Sequence, residues 1–135
     1  MPQHTGTFSG TLVSTNVIVV PDVEQHKLEL TVIAGAHRSE DALWNGLWMT
    51  YYGVADVVNE QGKAQGFFVN QHPDGSKLHG SFEASVDGLE MAGKYTFADG
   101  TGRYAGITGG GNFTSHMKTW KDVVMDWNGT YQRPE

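Results

Sequence analysis

Residues 76–97 read SKLHGSFEASVDGLEMAGKYTF. Leu78, Gly80, Phe82, Ala84 and Val86 alternate with Lys77, His79, Ser81, Glu83 and Ser85. Beyond Asp87-Gly88, the residues Leu89, Met91, Gly93 and Tyr95 share one face, with Glu90 and Lys94 on the other. Side chains two apart share a face of a strand, so this stretch predicts a β-hairpin with one face apolar and the other wet. Asp-Gly between the two runs is a strong hairpin turn signal.

The same alternation continues in both directions. Strands are predicted at Gly6–Val20, with a bend at Asn16, and at His26–Ala36, where Leu28, Leu30, Val32, Ala34 and Ala36 share a face. Leu47–Asn59 and Lys63–Gln71 follow, joined by Glu60-Gln61-Gly62, and then Ser76–Val86 and Leu89–Phe97. The last two are Gly109–Met117 and Val123–Gln132, reached through a Gly-rich connection with a helical turn at Arg103–Gly106. About eight short strands with tight turns and no 3.6-residue repeat predict an all-β fold, a single closed antiparallel barrel over residues 1–135 with no substantial helix; a two-sheet sandwich is the alternative. The inner faces of the later strands also carry Phe113, Ser115 and Met117, then Met125, Trp127 and Tyr131.

Glycine supports the barrel. The chain has 18 glycines in 135 residues, and Gly-x-aromatic recurs at Gly6/Phe8, Gly46/Trp48, Gly66/Phe68, Gly80/Phe82, Gly93/Tyr95, Gly102/Tyr104, Gly111/Phe113 and Gly129/Tyr131. A glycine beside a ring on one face lets a neighbouring ring lie over bare backbone and permits tight curvature. The interior is therefore expected to be aromatic, either filled by stacked rings or lined by them around a cavity.

Composition excludes several function classes. A net charge of −6 argues against a nucleic-acid phosphate backbone as partner. Absence of cysteine removes disulfides, thiolate metal sites and cysteine nucleophiles. The N-terminus shows neither a basic stretch nor an apolar run of signal-peptide type, so a cytoplasmic location is the default, and no segment is apolar enough to cross a membrane. No nucleophile elbow, P-loop, dinucleotide fingerprint or HExxH is present.

Among the six histidines, His79 and His116 fall on outward faces, whereas His26, His37 and His72 lie near strand ends and could ring a barrel mouth. No metal site or organic cofactor is expected. Asp56 shares a strand face with Trp48, Tyr52 and Val54. If that face is inward, Asp56 is a candidate acid or base and Tyr52 a candidate to orient a substrate carbonyl. Trp48, Phe68, Phe82, Tyr95, Phe113 and Trp127 are the expected walls of a substrate site. Tyr131, Ser115 and Asn70 complete the short list of inward polar residues. Such an interior suits an apolar small molecule held by a few polar groups.

Residues 101–109, TGRYAGITG, carry a resemblance. A Thr-Gly-Arg-Tyr-x-Gly-(Ile/Leu)-Thr-Gly connection ahead of a C-terminal strand pair is similar to that of the allene oxide cyclase-like barrels, a calycin-like group that includes plant allene oxide cyclases, dirigent proteins and bacterial spirotetronate cyclases. Thr50-Tyr51-Tyr52 resembles the Thr-Tyr-Tyr of the spirotetronate cyclases. The resemblance implies an isomerase or cyclase acting on an apolar metabolite without a cofactor, a cavity tyrosine at Tyr51 or Tyr52, and a cavity aromatic at Phe113. The cyclases carry a basic residue two positions before that aromatic, and this chain has Gly111. A non-catalytic barrel that binds a hydrophobic ligand, or one with a filled core that works through its surface, are the alternative readings.

Strand Leu47–Asn59 is apolar on both faces, and strand Gly6–Val20 carries Val13, Val17 and Val19 opposite Leu12, Ile18 and Val20. A barrel strand needs one buried face, so the surplus predicts a homo-oligomer, a dimer by preference, with Leu47, Met49 or Tyr51 in the contact if that set faces out.

Overall fold

The computed structural model describes residues 2–134. Its strands are β1 (Gln3–Val19), β2 (His26–Arg38), β3 (Trp48–Val58), β4 (Gln61–Gln71), β5 (Lys77–Asp87), β6 (Glu90–Gly100), β7 (Thr108–Met117) and β8 (Asp122–Gln132). Each pairs antiparallel with the next, and β8 pairs back onto β1, closing an eight-stranded barrel in sequence order. The only helical element among the described residues is one 3-10 turn at Gly102–Tyr104.

Closure depends on β1, the longest strand. Its first half pairs with β8 from Gln3↔Thr130 to Thr11↔Asp122, while its far half continues along β2 to Val19↔Lys27. The strand shifts register at a bulge between Leu12 and Ser14, three residues before the bend expected at Asn16. Other boundaries also differ by a few residues. The β3–β4 turn is Asn59-Glu60, both with positive φ, and residues 61 and 62 already belong to β4. That geometry is what a two-residue primed hairpin requires. In the β5–β6 hairpin Gly88 and Leu89 form the loop, so Leu89 is exposed and not inward.

The interior is built as the glycine pattern implied. A Cβ on Gly6 would strike the Trp127 ring, and one on Gly80 would strike Phe68 and the Thr96 carbonyl, so these rings rest on bare backbone. Phe8, Ile33, Phe68, Phe97, Phe113 and Trp127 belong to one contiguous buried cluster. On β5–β8 the inward and outward rows fall as the alternation predicts.

Two strands put a different face inside. On β2 the buried positions are Ile33, Gly35 and His37, and the continuous apolar row containing Leu30 is the outer one. On β3 the inner row is Met49, Tyr51, Gly53 and Val57, and the outer row is Trp48, Thr50, Tyr52, Val54 and Asp56. The Phe82 ring lies 3.2 Å from where a Gly53 Cβ would stand, so β3 obeys the rule of rings over glycine once its phase is known.

One end of the barrel is covered. Residues 39–47, between β2 and β3, fold across it and bury Leu43, Trp44 and Leu47. The 3-10 turn seals the same end: Tyr104 is fully buried and donates its hydroxyl proton to the Leu43 carbonyl. Arg103 pairs with Asp74 at 2.8 Å, tying that turn to the β4–β5 loop. Gly102 and Gly106, both with positive φ, let the chain enter and leave this turn. The conspicuous TGRYAGITG segment is thus a structural clasp.

Candidate interior site

The closed barrel leaves a free volume of about 60 Å³ on its axis. The rings of Tyr51, Phe68, Phe82, Tyr95, Phe113 and Trp127 form much of its wall. Met49, Met91 and Met125 fill the gaps between them, and Trp44 with Phe97, nearly parallel at 5.5 Å, closes the covered end.

Five of the eight expected site residues, Phe68, Phe82, Tyr95, Phe113 and Trp127, meet at this cavity. The other three do not. Trp48, Tyr52 and Asp56 stand on the outer surface of β3. Asp56 is neither buried nor among rings; its carboxylate is 2.6 Å from His26 Nε2 at the hairpin end. The alternation could not set the phase of a strand apolar on both faces, and closure against Tyr51↔Phe68 and Gly53↔Gly66 set it. Of the pair that the resemblance left open, Tyr51 is the inner tyrosine.

The expected ring of histidines does not form. His26 belongs to the hairpin end, and His37 and His72 to the covered end. His37 points into the barrel, and so does His4, which sequence reasoning missed. A lone histidine near a chain end carries no periodic signal. The visible clue was only that His4 shares a face with Phe8 two positions along from Gly6.

These two histidines organise the polar contacts inside. Trp127 Nε1 donates to His37 Nδ1 at 2.9 Å, so the His37 proton sits on Nε2, 3.0 Å from the Asn70 side-chain oxygen. This chain of contacts crosses the interior from β8 to β2 to β4. Burial pushes His37 down to about 4, against the opposing effect of the Asn70 hydrogen bond. His4 Nε2 is 2.7 Å from the Tyr95 hydroxyl. Burial also lowers His4 to about 4, with the Asp41 charge pulling the other way, and burial raises Tyr95. At neutral pH the interior is therefore uncharged. It retains two orphans: His4 Nδ1 and Trp44 Nε1 are buried with no hydrogen-bond partner among the described residues. Such an atom costs about 1–3 kcal/mol unless a water or ligand meets it.

An uncharged, ring-lined interior can hold an apolar molecule and meet one polar group on it. Among the described residues no cluster of three or more His, Cys, Asp or Glu has the arrangement of a metal site. Among the described residues no helix is long and apolar enough to cross a membrane.

The fold and this interior define a closed eight-stranded antiparallel barrel with an aromatic core. Among solved structures the chain is similar to a pterocarpan synthase dirigent protein, at 12% identity and a TM-score of 0.51, over 99% of this chain and 87% of that one. At that identity the likeness shows the fold alone. No family model matches the sequence, and no curated protein matches it.

Proposed function

We propose that the barrel interior binds a small apolar molecule of about one ring that carries a hydrogen-bond acceptor. The observation that carries this reading is the buried, partnerless His4 Nδ1, with Trp44 Nε1 as a second unpartnered nitrogen in the lining of a cavity walled mainly by rings and methionines. In the tautomer in which Tyr95 donates to Nε2, the His4 hydrogen lies on Nδ1 and is offered to a ligand carbonyl or ether oxygen, and this is the form the proposal requires. The resting volume of about 60 Å³ is smaller than the ~150 Å³ that accommodates benzene in an engineered cavity. The methionines supply the difference, because unbranched thioether side chains re-pack at low cost. Phe82, Met91 and Met117, only partly buried, mark the way in away from the Trp44 cap.

Isomerisation or cyclisation is the second reading, and the His4–Tyr95 contact at 2.7 Å favours it. A neutral histidine hydrogen-bonded to a tyrosine can polarise a bound carbonyl, and a shaped apolar pocket holds a flexible substrate near its reactive conformation. Kinship with the allene oxide cyclase-like barrels belongs to this proposal, supported by the TGRYAGITG segment. No cofactor is invoked.

The test is a titration of tryptophan fluorescence with benzaldehyde and with toluene, which share a ring and differ in the acceptor. Saturable quenching by benzaldehyde, weaker binding of toluene, and loss of both in Phe113→Trp are expected. A His4→Phe variant should bind the two equally. If neither probe saturates, the core is filled and the reading fails.

A further inference from the structure

The outer surface of the barrel is divided. On β5 to β8 the outward rows are polar and studded with charge, as at Lys77, Glu83, Glu90, Lys94 and Asp126. On β2, β3 and β4 they are not. The β3 outer row reads Trp48, Thr50, Tyr52, Val54; its register partners on β2 are Ala36, Ala34, Val32 and Leu30, and on β4 they are Gln71, Val69, Phe67 and Gln65. No charge occurs among these twelve positions; the first are Asp56 and Lys63 at one margin and Arg38 at the other. Within the field Trp48 is 55% exposed, Tyr52 45% and Phe67 67%. Phe67 lies directly across from Tyr52, so the largest exposed rings are adjacent.

We propose that this three-strand face is the contact with a second copy of the same chain, centred on Tyr52 and Phe67 with Trp48 at its edge. Isolated exposed apolar residues need no explanation, whereas a contiguous field above a few hundred Å² marks a binding surface. The exposed parts of Leu30, Trp48, Tyr52, Val54, Phe67 and Val69 amount to roughly 600 Å², the same order as one partner's share of a standard stable interface. A tryptophan, a tyrosine and a phenylalanine at the centre of a charge-free patch is the composition of an interface core. A membrane surface is the poorer occupant: the net charge of −6 repels anionic lipid, and no basic residue stands within the field. A face that is apolar throughout and ringed by charges of both signs is compatible with itself across a two-fold axis.

The same geometry corrects the contact expected from sequence. Leu47, Met49 and Tyr51 are interior residues, so Met49→Lys would damage the core and report nothing about assembly. The informative changes are Tyr52→Lys with Phe67→Lys, both on the outer surface. Sedimentation equilibrium of the unaltered chain at tens of micromolar should give a multiple of 14.8 kDa. The double variant, with an unchanged β spectrum, should weaken association by at least ~30-fold, the loss expected when an interface centre is removed. As a check independent of charge insertion, Tyr52→Cys supplies the sole cysteine of the chain. A bismaleimide should then link copies through it, while Asn112→Cys on β7, across the barrel from β3, should give no linked product. A monomer for the unaltered chain, an oligomer whose mass ignores the double variant, or linking at position 112 instead of 52 would overturn the proposal.

Discussion

Tyr104 shows how much one hydroxyl can hold. Its side chain is fully buried, and its only polar atom meets the Leu43 carbonyl, the residue before Trp44. That bond connects the 3-10 turn to the loop capping the cavity. Replacing Tyr104 by Phe keeps the ring and leaves a buried carbonyl unpaired, which should cost about 1–2 kcal/mol of stability in denaturant unfolding. The change should also speed amide exchange in residues 39–47 relative to the strands. Equal exchange in the two proteins would show that Trp44 is held by packing alone. The sequence made this residue conspicuous but suggested a family marker, because the meaning of TGRYAGITG depends on a partner 61 residues away.

At the scale of elements, the β1–β2 hairpin end is fastened by His26. Its Nδ1 lies 2.6 Å from Asp22 and its Nε2 2.6 Å from Asp56. Carboxylates only accept, so both ring nitrogens carry protons and the ring is an imidazolium joining the β1–β2 loop, β2 and β3. Those hydrogen bonds, Asp22 first, raise the His26 pKa. A raised folded-state pKa contributes stability that is fully present below the unfolded value of 6.5 and is lost as pH climbs through the folded value. The imidazole proton resonances of His26 should therefore titrate above 6.5, and Asp56→Asn should bring that titration down. An unmoved titration would mean that Asp56 is solvated and not engaged. Asp56 thus serves as a strap, where the sequence had suggested an acid in the cavity; the two roles are separated only by the phase of β3.

For the molecule as a whole, the two interior histidines act in the opposite direction. His4 and His37 are lowered to about 4 from 6.5, so the unfolded chain takes up protons that the barrel refuses. Stability from these groups is complete above 6.5 and declines as pH falls toward 4, by up to about 1.4 kcal/mol per pH unit for each histidine. With His26 acting above 6.5, the melting temperature should pass through a maximum close to that pH. Thermal melts from pH 8 to 5 will test this, and His37→Asn should flatten the acid side. A wild-type curve that is level between pH 6.5 and 5 would mean that the interior accepts a proton, which contradicts an uncharged, dry cavity.

Sequence alone sufficed for the all-β class, the number of strands, the hairpin connections and the inner rows of β5 through β8. These follow from local causes: a period of two, turn residues at fixed offsets, and glycine spaced to admit rings. It also identified five wall residues of the cavity: Phe82, Tyr95, Phe113 and Trp127 sit on strands with only one apolar face, and Phe68 stands two positions from Gly66. The phase of β2 and β3 was settled by tertiary structure, since both faces of β3 are apolar and the longest apolar row of β2 is the outer one. Only closure, which aligns Gly53 with Gly66 and Tyr51 with Phe68, could choose between the faces. Through that choice Tyr52, Trp48 and Asp56 moved from the presumed site to the surface, and the first two became part of the proposed contact. His4, His37 and Trp44 likewise gained their places from the fold. Each lies in or beside a loop or a chain end, where no periodicity exists, and what brings them together are contacts made 90 residues apart, as between Trp127 and His37.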